Sequence, residues 1–199
     1  MEKINLIKKY PDYYKANGKP IELDIEPIQI LTMSGICAPE DEHFQHCIGA
    51  MYAVVYTVKK YCKTEQRDFV VPKLEAFWWI EEGLDFAKTP RSEWHWQLML
   101  RMPDFVNHEH VDQAVEEVIK KKNIVVANEV QLKPMHEGKC VQVMHIGSYE
   151  EETASINKIF EYMKLNGLEA KGRHHEIYIS DPTKTPEEKL KTIIRYAVK

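Results

Sequence analysis

The 199-residue sequence has no hydrophobic run long enough to cross a bilayer. Its longest, Met51 to Val58 and Val141 to Ile146, fall far short of the ~20 apolar residues a spanning helix needs, so no membrane partner is expected. The first ten residues alternate charged with apolar groups and lack the apolar core and small-residue cleavage site of a secretory signal, which reads as cytoplasmic. The four cysteines, Cys37, Cys47, Cys62 and Cys140, form no C-x-x-C pair; zinc knuckles and dithiol redox motifs are excluded, leaving reduced core thiols. No Gly-rich loop follows a strand and no serine sits in a G-x-S-x-G elbow, which disfavours phosphoryl and acyl transfer. An excess of positive charge is also missing. With 27 basic against 31 acidic residues the net charge is −4, and no clustered basic face is available to nucleic acid.

What is present suits an ordinary globular protein: 44% hydrophobic and 29% charged residues. A chain of this length buries roughly 70% of the surface it exposes when unfolded, enough for one sizeable core or two small fused ones. Asn5 to Tyr14 reads as a short helical segment broken by Asn17-Gly18-Lys19-Pro20. Pro27 to Gly35 reads as a strand, and Pro39-Glu40-Asp41 starts a helix to about Tyr61. A strand from Phe69 to Ile80 with Pro72 near its start, a loop from Gly83 to Pro90 and a strand from Trp94 to Met102 follow. Asn107 is an N-cap for a connector helix from His108 to Lys122, where Lys120 to Lys122 favour the dipole.

The second half continues the alternation. Val125 to Lys133 and Lys139 to Ile146 read as a hairpin across the polar turn Pro134 to Gly138. Ser148 to Glu151 spells a capping box for a helix ending at Asn166-Gly167. The strand His174 to Ser180 comes next, then a second capping box at Thr185-Pro186-Glu187-Glu188 and a strand around Thr192 to Val198. The class is α+β.

Placing Ile28 to Ile30 over Val141 to Val143 starts two successions of the same type: strand, Gly-containing turn, helix, strand, strand. Glu75 to Trp79 then lies over Glu176 to Ser180, with the first copy the longer. A duplicated unit would bring Glu75 and Glu176 towards one shared cleft. Strand parity puts Glu75, Phe77 and Trp79 on one face and Leu74, Ala76, Trp78 and Ile80 on the other, against helices. It likewise groups His174, Glu176, Tyr178 and Ser180, with His175, Ile177 and Ile179 opposite. Adjacent His174 and His175 therefore do not chelate one ion together, His43, His46 and Cys47 lack closing ligands, and no metal is expected.

Four phrases carry a resemblance: Val71 to Trp79, Trp94 to Val106, His145 to Glu152 and His174 to Pro182. They resemble signatures of the GyrI-like small-molecule-binding proteins, which include effector-binding domains of multidrug-sensing regulators, and they cover roughly Pro27 to the C-terminus. The resemblance implies duplicated βαββ modules forming an antiparallel sheet, helices on one side and a ligand cleft between the modules. It divides the chain into an N-terminal extension (1–26), a first module (27–106), a connector helix (107–123) and a second module (124–199). It implies Glu176 in the ligand pocket. For stand-alone members resembling this chain it also implies detoxifying hydrolysis of cyclopropane-bearing aromatic alkylators. Lys73 and Ala76 depart from the Pro and Gly such members often carry.

That chemistry needs a planar apolar clamp, an acid near the carbonyl and an activated water. Trp79, Trp96, Phe77 and Trp94 are the clamp candidates. Glu176 and Glu75 are the acid–base candidates, both expected to have raised pKa values by desolvation, and Tyr178 is expected to bond the carbonyl or orient Glu176. His174 and Tyr149, in the signature phrases, complete the expected ligand contacts. No cofactor is expected. Against these stand plainer roles: an ion pair of Glu176 with Arg173 or Lys171, of Glu75 with Lys73 or Arg101, and core packing for the tryptophans. Alternatives to hydrolysis are sequestration of aromatic or cationic drugs, with cation–π attraction, and a gyrase-inhibitor-like interaction with a transient protein partner.

Overall fold

The computed structural model describes residues 3–199, so the first two residues of the expected N-terminal extension lie outside the described residues. In chain order the elements are β1 (Lys3–Ile4), α1 (Leu6–Lys9), α2 (Pro11–Tyr14), β2 (Ile21–Ile25), β3 (Ile28–Ile36), α3 (Glu42–Thr64), β4 (Asp68–Phe69), β5 (Glu75–Trp79), β6 (His95–Met102), α4 (His108–Lys122), β7 (Gln131–Met135), β8 (Gly138–Ile146), α5 (Thr153–Asn166), β9 (His174–Tyr178) and β10 (Lys191–Ala197). The class is α+β with antiparallel pairing of the long strands, as expected. Among the described residues no helix is long and apolar enough to cross a membrane. The chain divides into two compact units, and each contains the succession strand, helix, strand, strand.

Unit 1 comprises residues 28–72 and 78–135 with residues 3–9. β3 is its central strand, paired with β6 from Gln29↔Met102 to Ile36↔His95 and with β7 from Ile28↔Met135 to Thr32↔Gln131. α3 begins at Asp41, whose carboxylate accepts from the His43 N–H at 2.8 Å. Its buried residues Phe44, Cys47, Ala50, Met51, Val54, Val55, Val58 and Cys62 recur at three- and four-residue spacing, the pattern of one core-facing stripe. α4 has the predicted bounds. Asn107 accepts from the His110 N–H, the His110 ring accepts from the Asn107 N–H, and Asn123 ends the helix in the left-handed region at φ 55°. It is not a connector. Tyr61 of α3 donates to Glu117 of α4 at 2.6 Å, and the His110 ring meets Glu65 at 3.0 Å, so the two helices pack together inside unit 1.

Unit 2 comprises residues 10–27, 73–77 and 136–199. Its strand order is β2-β8-β10-β9. β8 pairs with β10 from Lys191↔Ile146 to Ala197↔Cys140 and with β2 from Ile21↔Gln142 to Ile25↔Gly138. The Tyr178 N–H donates to the Leu74 carbonyl at 3.0 Å, carrying the 73–77 stretch alongside β9. α5 lays Ile159 and Met163 over Val141, Val143, Ile194 and Val198, and Gly167 closes it at φ 68°.

Five expectations need correction. Residues 10–27 are built into unit 2 through β2, rather than forming an appendage outside the modules. The strand expected from Phe69 to Ile80 is two pieces: Asp68–Phe69 pairs with β1, and β5 starts only at Glu75, after Pro72, which has no N–H to give a ladder. Val125–Glu129 is a 3₁₀ turn. β7 and β8 are no hairpin, since β7 pairs with β3 and β8 with β2 and β10. Neither capping box forms. Tyr149–Glu151 and Glu187–Lys189 are 3₁₀ turns without a side-chain cap, and the Ser148 carbonyl instead accepts from His145 Nε2 at 2.8 Å.

Candidate functional site

Register fixes which side chains meet. Ile194↔Glu176 and Ile194↔Val143 put Glu176 on the sheet face that α5 covers, while Arg195↔His175 and Arg195↔Gln142 put His175 on the opposite face. The parity argument for the His174–His175 pair therefore holds.

On the α5 face, His174 is the hub. Its Nε2 lies 2.8 Å from Glu176 Oε1 and 3.5 Å from Glu152 Oε2, and its Nδ1 lies 2.8 Å from the Tyr196 hydroxyl. Glu152 stands at the start of α5, 5% exposed, and its Oε1 is buried without a hydrogen-bond partner. Tyr149 and Tyr178 meet edge to face beside the cluster, ring centroids 5.8 Å apart. The 148–152 turn carrying Tyr149 and Glu152 is pinned by His145, whose Nε2 donates to the Ser148 carbonyl while Nδ1 meets Ser155 Oγ at 3.1 Å.

The two carboxyls of this cluster are driven apart. Burial and the charge of Glu176 push Glu152 up to about 8, against the pull of His174. Burial also works against ionised Glu176, but the hydrogen bond and charge of His174 outweigh it and hold Glu176 below the usual carboxylate range. Burial opposes the His174 cation too. Its contacts with Glu152 and Glu176 reverse that and raise it well above the ordinary imidazole value. Near neutral pH Glu152 thus holds a proton and Glu176 is ionised beside an imidazolium, which donates to Glu176 and to the Tyr196 oxygen. The expected rise of Glu176 by desolvation is corrected by this neighbour.

Glu75 is the second correction. It is 1% exposed on the other face, where its Oε2 accepts from the Tyr13 hydroxyl at 2.6 Å and lies 3.0 Å from His175 Nε2. His175 Nδ1 lies 3.1 Å from both Glu137 oxygens, and Arg195 donates to Glu137 at 3.3 Å, to Gln142 at 2.8 and 3.0 Å and to the Tyr13 carbonyl at 2.7 Å. The Gln142 amide in turn donates to the Asp12 and Lys15 carbonyls. Two carboxyls, an imidazole and a guanidinium are thereby closed under the 10–15 segment. Burial alone would raise Glu137; the charges of His175 and Arg195 bring it down to about 2. In strand terms Glu75 answers to His175, not Glu176, and a shift of one residue moves a side chain to the opposite face.

The aromatic candidates divide likewise. Phe77 packs on the His175 ring at 4.5 Å, in the closed network. Trp96 lies in the core of unit 1 at 0% exposure, its Nε1 on Cys37 Sγ at 3.2 Å and its ring edge-on to Phe44, so it presents no face to a ligand. A Cβ at Gly35 would sit 2.3 Å from the Trp96 ring, which is why that residue has no side chain. Trp78 is buried against Phe44, as parity required. Trp79 and Trp94 are half-buried in unit 1, the first stacked on His95 at 5.3 Å, the second donating to the Thr89 carbonyl at 3.3 Å beside Phe86. Lys73 does not serve Glu75; its Nζ donates to the Ile179 carbonyl.

Glu152 is the residue the sequence reasoning passed over. It ends the phrase His145 to Glu152, but the capping-box pattern drew attention to Glu151. With His174 and Glu176 it forms a set of three ligand atoms lying within 4.8 Å of one another, a grouping that strand parity alone does not reveal.

A family model for the GyrI-like small molecule binding domain matches residues 19–199. Among solved structures, an uncharacterized conserved protein from Listeria innocua shares 36% identity at a TM-score of 0.93, over 99% of this chain and 100% of its own. A hydrolase from Listeria innocua shares 35% identity at a TM-score of 0.89, with the same coverage. The C-terminal domain of EcmrR, 11% identical, matches 91% of this chain and 97% of its own at a TM-score of 0.61, a likeness of fold alone. A comparison with curated proteins gives no match.

Proposed function

This chain belongs to the GyrI-like small-molecule-binding domain family, and from that footing we propose that it binds a flat aromatic compound beside Glu176 and adds water to electrophilic ones, cyclopropanoid alkylators among them. The observation that carries the reading is the pairing of Glu176 and Glu152 through His174, with Tyr149 and Tyr178 alongside. Likeness to a hydrolase at 35% identity over the whole chain supports the reaction class.

Ionised Glu176 takes a proton from water as the water oxygen bonds to the cyclopropane methylene. The ring C–C bond breaks, its electron pair runs into the conjugated dienone, and the resulting phenolate oxygen receives the proton of Glu152. The product carries one added water, and the proton gained by Glu176 returns to Glu152 through His174 or solvent. Tyr149 and Tyr178 offer ring faces and edges to a flat ligand. Glu75 has no part in the step.

The test incubates purified protein with a cyclopropanoid alkylator, following loss of the dienone chromophore and the product mass. Turnover with addition of one water, reduced roughly 10²- to 10⁴-fold in Glu176→Gln, is the expected result. Undiminished turnover in that variant overturns the mechanism. Quenching of tryptophan fluorescence with no product would instead mark a sequestering pocket.

A further inference from the structure

The separations within the Glu152–His174–Glu176 cluster suit an ion as well as a proton. Ligands bound at the usual zinc distances on a tetrahedron stand ~3.3 Å apart. The His174 Nε2 distances of 2.8 Å to Glu176 and 3.5 Å to Glu152 straddle that edge. Two carboxylates and a neutral imidazole balance the charge of a divalent cation. One nitrogen among two oxygens favours a first-row transition ion over magnesium or calcium, which take oxygen.

Two further observations point the same way. Glu152 Oε1 is buried with no hydrogen-bond partner in a carboxyl whose other oxygen faces His174, a state that is costly until something occupies it. His174 Nδ1 faces the Tyr196 hydroxyl at 2.8 Å, so the ring can keep one proton there and turn a lone pair on Nε2 to a metal. This is the outer hydrogen bond that orients metal-binding histidines. We infer that Glu152, His174 and Glu176 form a three-ligand site for a divalent transition ion of the zinc class, with the fourth position left to water or a ligand. Binding is independent of the hydrolytic reading. The consequence that rests on that reading is inhibition, because the ion takes the lone pairs that water addition uses.

The test titrates chelator-stripped protein with Co²⁺, watching its visible absorption, then displaces cobalt with Zn²⁺. Expected are one equivalent of cobalt with the strong bands of a tetrahedral site, their loss in His174→Gln and Glu152→Gln, and roughly 10- to 100-fold weaker binding in Tyr196→Phe. Absence of those bands in the native chain overturns the site, as does unchanged binding in His174→Gln. The native titration decides the matter even where a variant fails to fold. Turnover of the alkylator is measured separately, with chelator present. Loss of turnover alone strikes the hydrolytic reading, and loss of cobalt binding alone strikes the metal site.

Discussion

Replacing Glu137 by Gln removes one charge from the closed network and leaves its volume almost unchanged, so the loss reads electrostatics without a cavity. His175 and Arg195 bring the Glu137 carboxyl from 4.5 down to about 2 despite its burial. At about 1.4 kcal/mol per unit, that lowering contributes ~3 kcal/mol to stability. The folded value is depressed, so this contribution is present above about pH 4.5 and fades as pH falls towards about 2. His175 runs the other way. Its folded value is raised above 6.5, so its contribution is full below 6.5 and is lost as pH rises through the folded value. The network is therefore strongest between roughly pH 4.5 and 6.5. Glu137→Gln should lose ~3 kcal/mol at pH 5 to 7, the low end for breaking a buried pair, because Arg195 keeps Gln142 and the Tyr13 carbonyl. In a thermal scan that is a drop of roughly 6–12 °C. Urea unfolding of both proteins at pH 7, 5 and 3.5 is the assay, and the gap should narrow by roughly 1 kcal/mol at pH 3.5. A gap below about 1 kcal/mol at pH 7, or one that does not change with pH, would refute the reasoning.

Three more expectations follow from other parts of the chain. Gly35→Ala drives a methyl into the Trp96 ring and should destabilise unit 1 by about 1–3 kcal/mol, read by urea unfolding; a neutral result would mean that the ring moves aside freely. Asn107→Ala removes a cap whose side chain accepts from the His110 N–H and should cost about 1 kcal/mol, with Asn107→Asp restoring most of it. In metal-free protein, turnover should hold level from mildly acid pH until Glu152 loses its proton near pH 8 and should then fall; a rate still rising at pH 9 would deny Glu152 the role of acid.

Where the sequence was legible, local chemistry was strong. Asn107 and Asn123 bracket α4, Gly167 closes α5, and Trp78 is buried because its strand alternates. Glu176 and Tyr178 sit on the face that parity assigned them. What escaped was settled by partners far along the chain. Glu75 meets His175 a hundred residues later, and an alignment of repeats one residue out of step places it on the wrong face. Glu152 meets His174 across the whole length of α5 and the loop that follows it, a separation that no local motif records. β7 and β8 are joined by a turn that looks like a hairpin loop, yet their partners lie elsewhere, because a turn fixes where a chain bends and not which strand it then joins.

The 73–77 stretch has a bearing on how such a chain is divided. Unit 2 is assembled from three separate runs of sequence, and its buried charges are distributed among them: Tyr13 from the first, Glu75 from the second, Glu137, His175 and Arg195 from the third. A gene fragment cut at residue 136 would encode the imidazole and the guanidinium without the phenol and one of the carboxyls that close around them. One begun at residue 19, where the family match starts, would delete Tyr13 and the two carbonyls that hold Gln142. The smallest piece that carries this half's electrostatic complement therefore runs from about residue 10 to the last strand, with all of the other half inside it except the stretch up to Lys9.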